Sequence, residues 1–116
     1  MSVRIKRVYD APDAADGTRV LVDRLWPRGL TRVAARIDLW LKAVAPSDAL
    51  RKRVHADPDG WSWFPDAYAA ELASEEGRAG LAELRGLAAA GPVTLLFAAK
   101  DAERNNAVAL KLILEA

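Results

Sequence analysis

The sequence predicts an α/β fold: a small sheet, mostly parallel, with helices packed on it in two or three layers. Three observations carry this expectation. Short β-rich runs stand at Val3–Tyr9, at Val20–Val22 and at Val93–Phe97. Long stretches with helical spacing separate the second run from the last and follow the last to the end of the chain. Turn residues mark the joins at Asp16-Gly17, Pro27-Arg28-Gly29 and Gly91-Pro92.

The first strand is expected over Val3–Tyr9, where apolar and charged residues alternate. Asp10–Gly17, with three Asp, one Pro and one Gly, reads as a loop. A second strand is expected over Thr18–Leu25, around the core Val20-Leu21-Val22. Trp26-Pro27-Arg28-Gly29 ends it, because proline cannot continue a ladder and glycine permits a sharp turn. Arg36–Ala45 fits two patterns. Ile37, Leu39 and Leu41 alternate as in a strand, while Ile37, Leu41 and Val44 share a helix face; strand is the preferred reading.

A short helix is expected after Pro46, capped by Ser47 and carrying Asp48 in its positive first turn. Asp57-Pro58-Asp59-Gly60 reads as a turn. Pro65 suits the first position of a helix that includes Tyr68 and Leu72. Ser74-Glu75-Glu76 opens another, whose stripe is Leu81, Leu84 and Leu87, and Gly91-Pro92 stops it. Val93–Phe97 is the expected central strand. Asp101 is the expected cap of a last helix with Ala107, Leu110 and Leu114 on its apolar face. The link between the first two strands is shorter than the dozen or so residues of an ordinary parallel crossover. Their relative direction therefore stays open between antiparallel and tightly linked parallel.

At 116 residues the chain is expected to form one domain over residues 1–116. Hydrophobic residues make up 52%, enough for a core, and the formal net charge of +1 argues against coating DNA by bulk charge. There is no cysteine, which excludes disulfides, thiolate catalysis and cysteine-ligated zinc. His55 is the single histidine. A carboxylate-only Mg²⁺ site stays open, but nothing implies one, and no cofactor is expected. The N-terminus has no apolar signal core, and no apolar run nears the roughly 20 residues that cross a bilayer. The expected location is the cytoplasm, without a membrane partner.

Polar residues gather just after the apolar runs. Tyr9 and Asp10 follow the first, Asp23, Arg24 and Arg28 the second, and Lys100, Asp101, Arg104, Asn105 and Asn106 the last. With parallel strands these groups meet at the carboxyl edge of the sheet, where open α/β sheets bind ligands. Arg24, Arg28, Lys100 and Arg104 suit an anion. Asp10, Asp23 and Asp101 suit general-base work or Mg²⁺, with Asp23 and Asp101 the candidate catalytic residues. Each has a plainer reading: Asp101 as a helix cap, Asp23 as the partner of Arg24 or Arg28 in an ion pair. His55 suits acid–base chemistry or the capping of helix carbonyls. Trp61, Trp63, Phe64 and Tyr68 suit base stacking, and the last two suit the core better. Trp26 and Trp40 suit the core or a pocket wall.

Lys6–Asp10 (KRVYD), Asp16–Gly29 (DGTRVLVDRLWPRG), Ala45–His55 and Thr94–Leu110 together resemble the YeaO-like proteins, a family of unknown function numbered 488. The resemblance spans nearly the whole chain, and VDRLWPRG is its most specific stretch. It implies a compact α/β domain and brings no established activity. It places the family's recurrent positions on Arg7, Tyr9, Asp10, Asp23, Arg24, Trp26, Arg28 and Gly29. Further recurrent positions fall on Trp40, Pro46, Ser47, Arg51, Phe64, Tyr68, Glu71, Lys100, Asp101 and Asn105. Many relatives carry histidine where this chain has Arg104, and longer relatives carry cysteines near the final strand; neither mechanism transfers here.

The leading expectation is a pocket for a phosphate- or nucleotide-like anion, with a small hydrolase or transferase activity left open. The alternatives are a non-enzymatic nucleic-acid or regulatory module built on Arg51-Lys52-Arg53 and the Trp61–Phe64 aromatics, and an interaction or homodimer module anchored by Trp61 and Trp63. The sequence does not set the oligomeric state.

Overall fold

The computed structural model describes residues 2–116. Four strands form one sheet in the order β1-β4-β2-β3: β1 Val3–Arg7, β2 Thr18–Leu21, β3 Leu39–Trp40 and β4 Val93–Phe97. All neighbouring pairs are parallel, with Val3 beside Val93, Val20 beside Leu95 and Leu21 beside Trp40. The first two strands therefore run the same way, with β4 inserted between them. Their short link holds only a 3₁₀ turn, Ala14–Asp16, closed by a capping box between Asp13 and Asp16. Gly17 leaves that turn at φ 64°, and a Cβ there would strike the Pro92 carbonyl, so both conformation and space call for glycine.

Val93–Phe97 is buried along its whole length, as a central strand between two others must be. Its residues alternate between two apolar clusters. Val93, Leu95 and Phe97 join Val3, Val20 and Val22 on one face, where α2 Asp48–His55, α3 Phe64–Glu71, α4 Glu75–Ala90 and α5 Asn106–Glu115 pack. Leu96 joins Val8, Leu21, Ala35 and Ile37 on the other, under α1 Arg32–Ala35 and the edge-on pair Trp26–Trp40. The result is three layers, thin on the second face.

Several elements differ from the sequence-based expectation. β1 and β2 end earlier, at Arg7 and Leu21. The expected third strand keeps only Leu39–Trp40; Lys42–Val44 turns as a 3₁₀ helix and Ile37 drops into the second cluster. The four-residue α1, capped by Thr31, gave no periodic signal. Pro65 takes the second helical position because Phe64 takes the first. Asp101 does not cap α5: Asn105 does, accepting from the Val108 N–H. Ser47 and Ser74 cap α2 and α4 as expected. The Glu71 carboxylate accepts from both the backbone N–H and the hydroxyl of Ser47 at 2.6 Å, tying α3 to the start of α2.

At the amino end of the sheet Arg19 is 3% exposed, yet its donors are used. Nη1 meets Asp16 at 2.5 Å, Nη2 reaches Ala35 O at 2.9 Å and Nε reaches Arg36 O at 3.1 Å. Lys6 adds a second cation to Asp16 at 3.2 Å. Burial pushes the Asp16 carboxyl up, but the Asp13 backbone, Lys6 and Arg19 together hold it below its ordinary 3.8. Arg19→Met leaves a buried carboxylate short of a partner and should cost about 3–5 kcal/mol in urea unfolding; a loss under about 1 kcal/mol would contradict this account. The Asp16 contribution is complete above its unfolded pKa and disappears as pH falls through the depressed folded value. Wild-type stability should therefore fall more steeply below pH about 4 than that of Asp16→Asn.

Candidate functional site

Parallel strands put their carboxyl ends on one edge, and a cleft of about 700 Å³ opens there. One side consists of the strand ends and the segments that follow them: Arg7 at the end of β1 and Tyr9 beyond it, Asp23 to Arg28 after β2, and, from the loop after β4 to the first residue of α5, Ala98 to Asp101 and Arg104 to Asn106. The opposite side comes from α2, the turn behind it and the start of α3, through Arg51, Val54, His55, Asp57, Trp61 and Phe64, with Pro46 at the join.

The floor is tied by Asp23. Its Oδ2 accepts the Ala98 N–H at 2.9 Å and its Oδ1 accepts Asn106 Nδ2 at 3.0 Å. Asn106 Nδ2 also reaches Val22 O at 3.0 Å, and Asp23 O accepts Trp40 Nε1 at 2.7 Å. Ends of β2 and β4, the start of α5 and the β3 edge thus meet at one residue. The expected ion pair of Asp23 with Arg24 or Arg28 is absent among the described residues; backbone and amide donors take its place. Burial pushes the Asp23 carboxyl above 3.8, against the hydrogen bonds from Ala98 and Asn106 and the charge of Arg51.

Arg7 and Arg24 are held by backbone rather than by acids. Arg7 Nε donates to Ala99 O at 3.1 Å, and its guanidinium lies 4.9 Å from the centre of the Tyr9 ring. Tyr9 in turn donates to Arg28 O at 3.0 Å. Arg24 Nε donates to Pro46 O at 3.0 Å, which bridges the two sides of the cleft. Both guanidiniums keep their Nη groups without hydrogen bonds among the described residues. Arg51 has an exposed ion pair with Asp48 at 3.2 Å, while its Nε is buried without a partner.

Asp101 accepts from the N–H groups of Glu103 and Arg104, which hold its carboxyl below the usual range and shape the loop before α5. Asn105 Nδ2 closes that loop on Asp101 O at 2.9 Å. On the facing side Asp57 accepts Trp63 Nε1 at 2.7 Å and the Asp59 N–H, and the Trp63 contact leads in holding its carboxyl low. The wall behind is a ladder of rings. Trp61 tilts on Phe64 at 6.2 Å, Phe64 stacks on Tyr68 at 5.4 Å, and the Tyr68 hydroxyl donates to Val44 O.

The structure brings Arg7, Tyr9, Asp23, Arg24, Trp26, Arg28, Lys100, Asp101, Arg104 and Asn105 to this cleft. Asp10 stays outside it, on the exposed loop beyond β1. The sequence offers the α2 side as a basic run, an aromatic run and His55, and the resemblance adds Pro46, Arg51 and Phe64, with nothing to join them to the strand ends. The spacing of Arg51 and His55, one helical turn apart, was the available signal. His55 lines the cleft and caps no carbonyl among the described residues. Among those residues no three acidic or histidine side chains gather as a metal site, and no helix is long and apolar enough to cross a membrane.

Carbon-detected NMR titration of the Asp23 carboxyl should give a midpoint above 3.8; a midpoint at or below that value would show that its donors outweigh its burial.

Residues 2–116 match the family model described as the inactive DUF488-N3 subclade. The chain is 41% identical over 112 residues to the uncharacterized protein YeaO of Escherichia coli (strain K12), covering 95% of this chain and 94% of that protein. It is also 41% identical over 112 residues to the uncharacterized proteins Mb3100c of Mycobacterium bovis and Rv3073c of Mycobacterium tuberculosis, covering 97% of this chain and 92% of each. No solved structure matches it. With a model that matches nearly end to end and relatives this similar over their own lengths, the chain belongs to the YeaO-like proteins of the DUF488 family.

Proposed function

We propose that the cleft binds a small phosphate-bearing anion and holds it without converting it. One observation carries the binding half. Six cationic side chains line the cleft (Arg7, Arg24, Arg28, Arg51, Lys100 and Arg104) against three carboxylates, Asp23, Asp57 and Asp101. Of the six, only Arg51 has a carboxylate within ion-pair distance among the described residues. In a chain whose net charge is only +1, this is a local surplus of unpaired donors. Arg7 and Arg24 are also pre-set by their Nε bonds, so their Nη forks are available for an oxyanion with little ordering cost.

The absence of turnover is supported from three sides. The family model is described as an inactive subclade. The two candidate catalytic residues serve the fold: Asp23 accepts from Ala98 and Asn106, and Asp101 from Glu103 and Arg104. The chain has no cysteine to act as nucleophile. The hydrolase or transferase alternative therefore has less in its favour than binding alone.

Amide NMR titration with sulfate tests binding, because the charge of sulfate is constant across the relevant pH. Saturable shifts are expected at residues 98–106, with affinity falling as salt rises. Arg24→Ala should weaken binding about ten-fold or more, in line with a charge-assisted hydrogen bond of about 1.5–3 kcal/mol. Ionised Asp23 repels the anion, so affinity should rise as pH falls through the Asp23 midpoint, and bound sulfate should raise that midpoint. No saturable shift in the wild-type protein would end the proposal.

A further inference from the structure

The cleft has two unlike halves, and a bare oxyanion uses only one. The strand ends and the segments after them supply five of the six cations, while Pro46, Val54, Trp61 and Phe64 supply an apolar stretch beside Arg51 on the other side. The volume of about 700 Å³ lies well inside the range of about 300–1,000 Å³ that holds whole organic ligands. A lone phosphate on Arg24 and Arg104 would leave most of it to water.

Resting on the anion-binding reading above, we propose that the ligand is a nucleoside monophosphate, with its phosphate on the arginines and its base against Trp61. Trp61 is half-buried, and its accessible part lines the cleft. It is also held in place before any ligand arrives. Phe64, 3% exposed, supports it at 6.2 Å, Tyr68 supports Phe64 at 5.4 Å, and the Tyr68 hydroxyl is fixed to Val44 O. A ring fixed in this way offers stacking at small entropic cost, and any base has a face that suits it. The edge of a stacked base has polar groups to meet nearby, since His55 and Asp57 line the same side. Arg24 links the halves, because its Nε bond to Pro46 O places the guanidinium where the cationic and apolar sides join. The same chemistry is present at the phosphorylated 5′ end of a nucleic-acid strand.

Isothermal titration with inorganic phosphate, ribose 5-phosphate, AMP and UMP separates the layers of the proposal. AMP should bind about ten-fold or more tighter than ribose 5-phosphate. Trp61→Ala should remove that advantage and leave ribose 5-phosphate binding unchanged, while Trp61→Phe should keep most of it. An oligonucleotide with a 5′-phosphate binding better than AMP, and losing affinity with a 5′-hydroxyl, would identify a strand end as the source; AMP binding at least as well identifies the free nucleotide. If AMP binds no better than ribose 5-phosphate to the wild-type protein, the base site does not exist, though the anion site stands. If neither phosphate nor ribose 5-phosphate binds, both readings fall together.

Discussion

The carboxylate of Asp23 stands where two parallel strands end and the last helix begins, and most of the carboxyl edge is arranged around it. β2 and β4 are neighbours running the same way, so both chains leave the sheet at one point and must separate. Their first free backbone groups need partners there, since a buried unpaired N–H costs about 1–3 kcal/mol. Asp23 supplies the acceptor for Ala98 N–H from across the gap, and Asn106 completes the junction from α5. The cleft lies at this point because the two segments diverge from a fixed origin rather than pack on each other.

The two edges of the sheet treat charge in opposite ways. At the amino edge Asp16 is enclosed by Arg19 and Lys6, and its charge is matched there. At the carboxyl edge cations outnumber acids, and backbone carbonyls hold two of the arginines, Arg7 and Arg24, by Nε alone. Matched charges serve the fold, and unmatched ones held in fixed directions are the basis of the proposed anion site. That contrast, more than the number of arginines, distinguishes the cleft from an ordinary solvated surface.

The sheet was legible where local pattern and tertiary role agree. Val93–Phe97 is apolar throughout and lies between two strands, so composition alone marked it. The third strand was overextended because Ile37, Leu39 and Leu41 alternate, while the pairing with β2 lasts only two residues. Asp101 and Asn105 are both good caps four residues apart. The choice went to Asn105, because Asp101 was already closing the preceding loop on Glu103 and Arg104. The strand-end half of the site followed from one rule, that parallel strands deliver their ends together. The α2 half did not follow, because nothing local in the residues from Ser47 to Phe64 says that this segment crosses above the strand ends. Asp10, one residue past Tyr9, missed the cleft for the same reason in reverse: the chain had already turned back toward β2.

The claim at the centre is that this edge holds a tetrahedral anion between the chain after β2 and the loop before α5. A crystal structure grown with selenate, whose anomalous signal locates it without ambiguity, addresses that claim most directly. The account predicts a selenate within hydrogen-bond distance, about 3 Å, of the Arg24 and Arg104 guanidiniums. A cleft holding only water, with selenate bound at other surfaces of the same crystal, would contradict it.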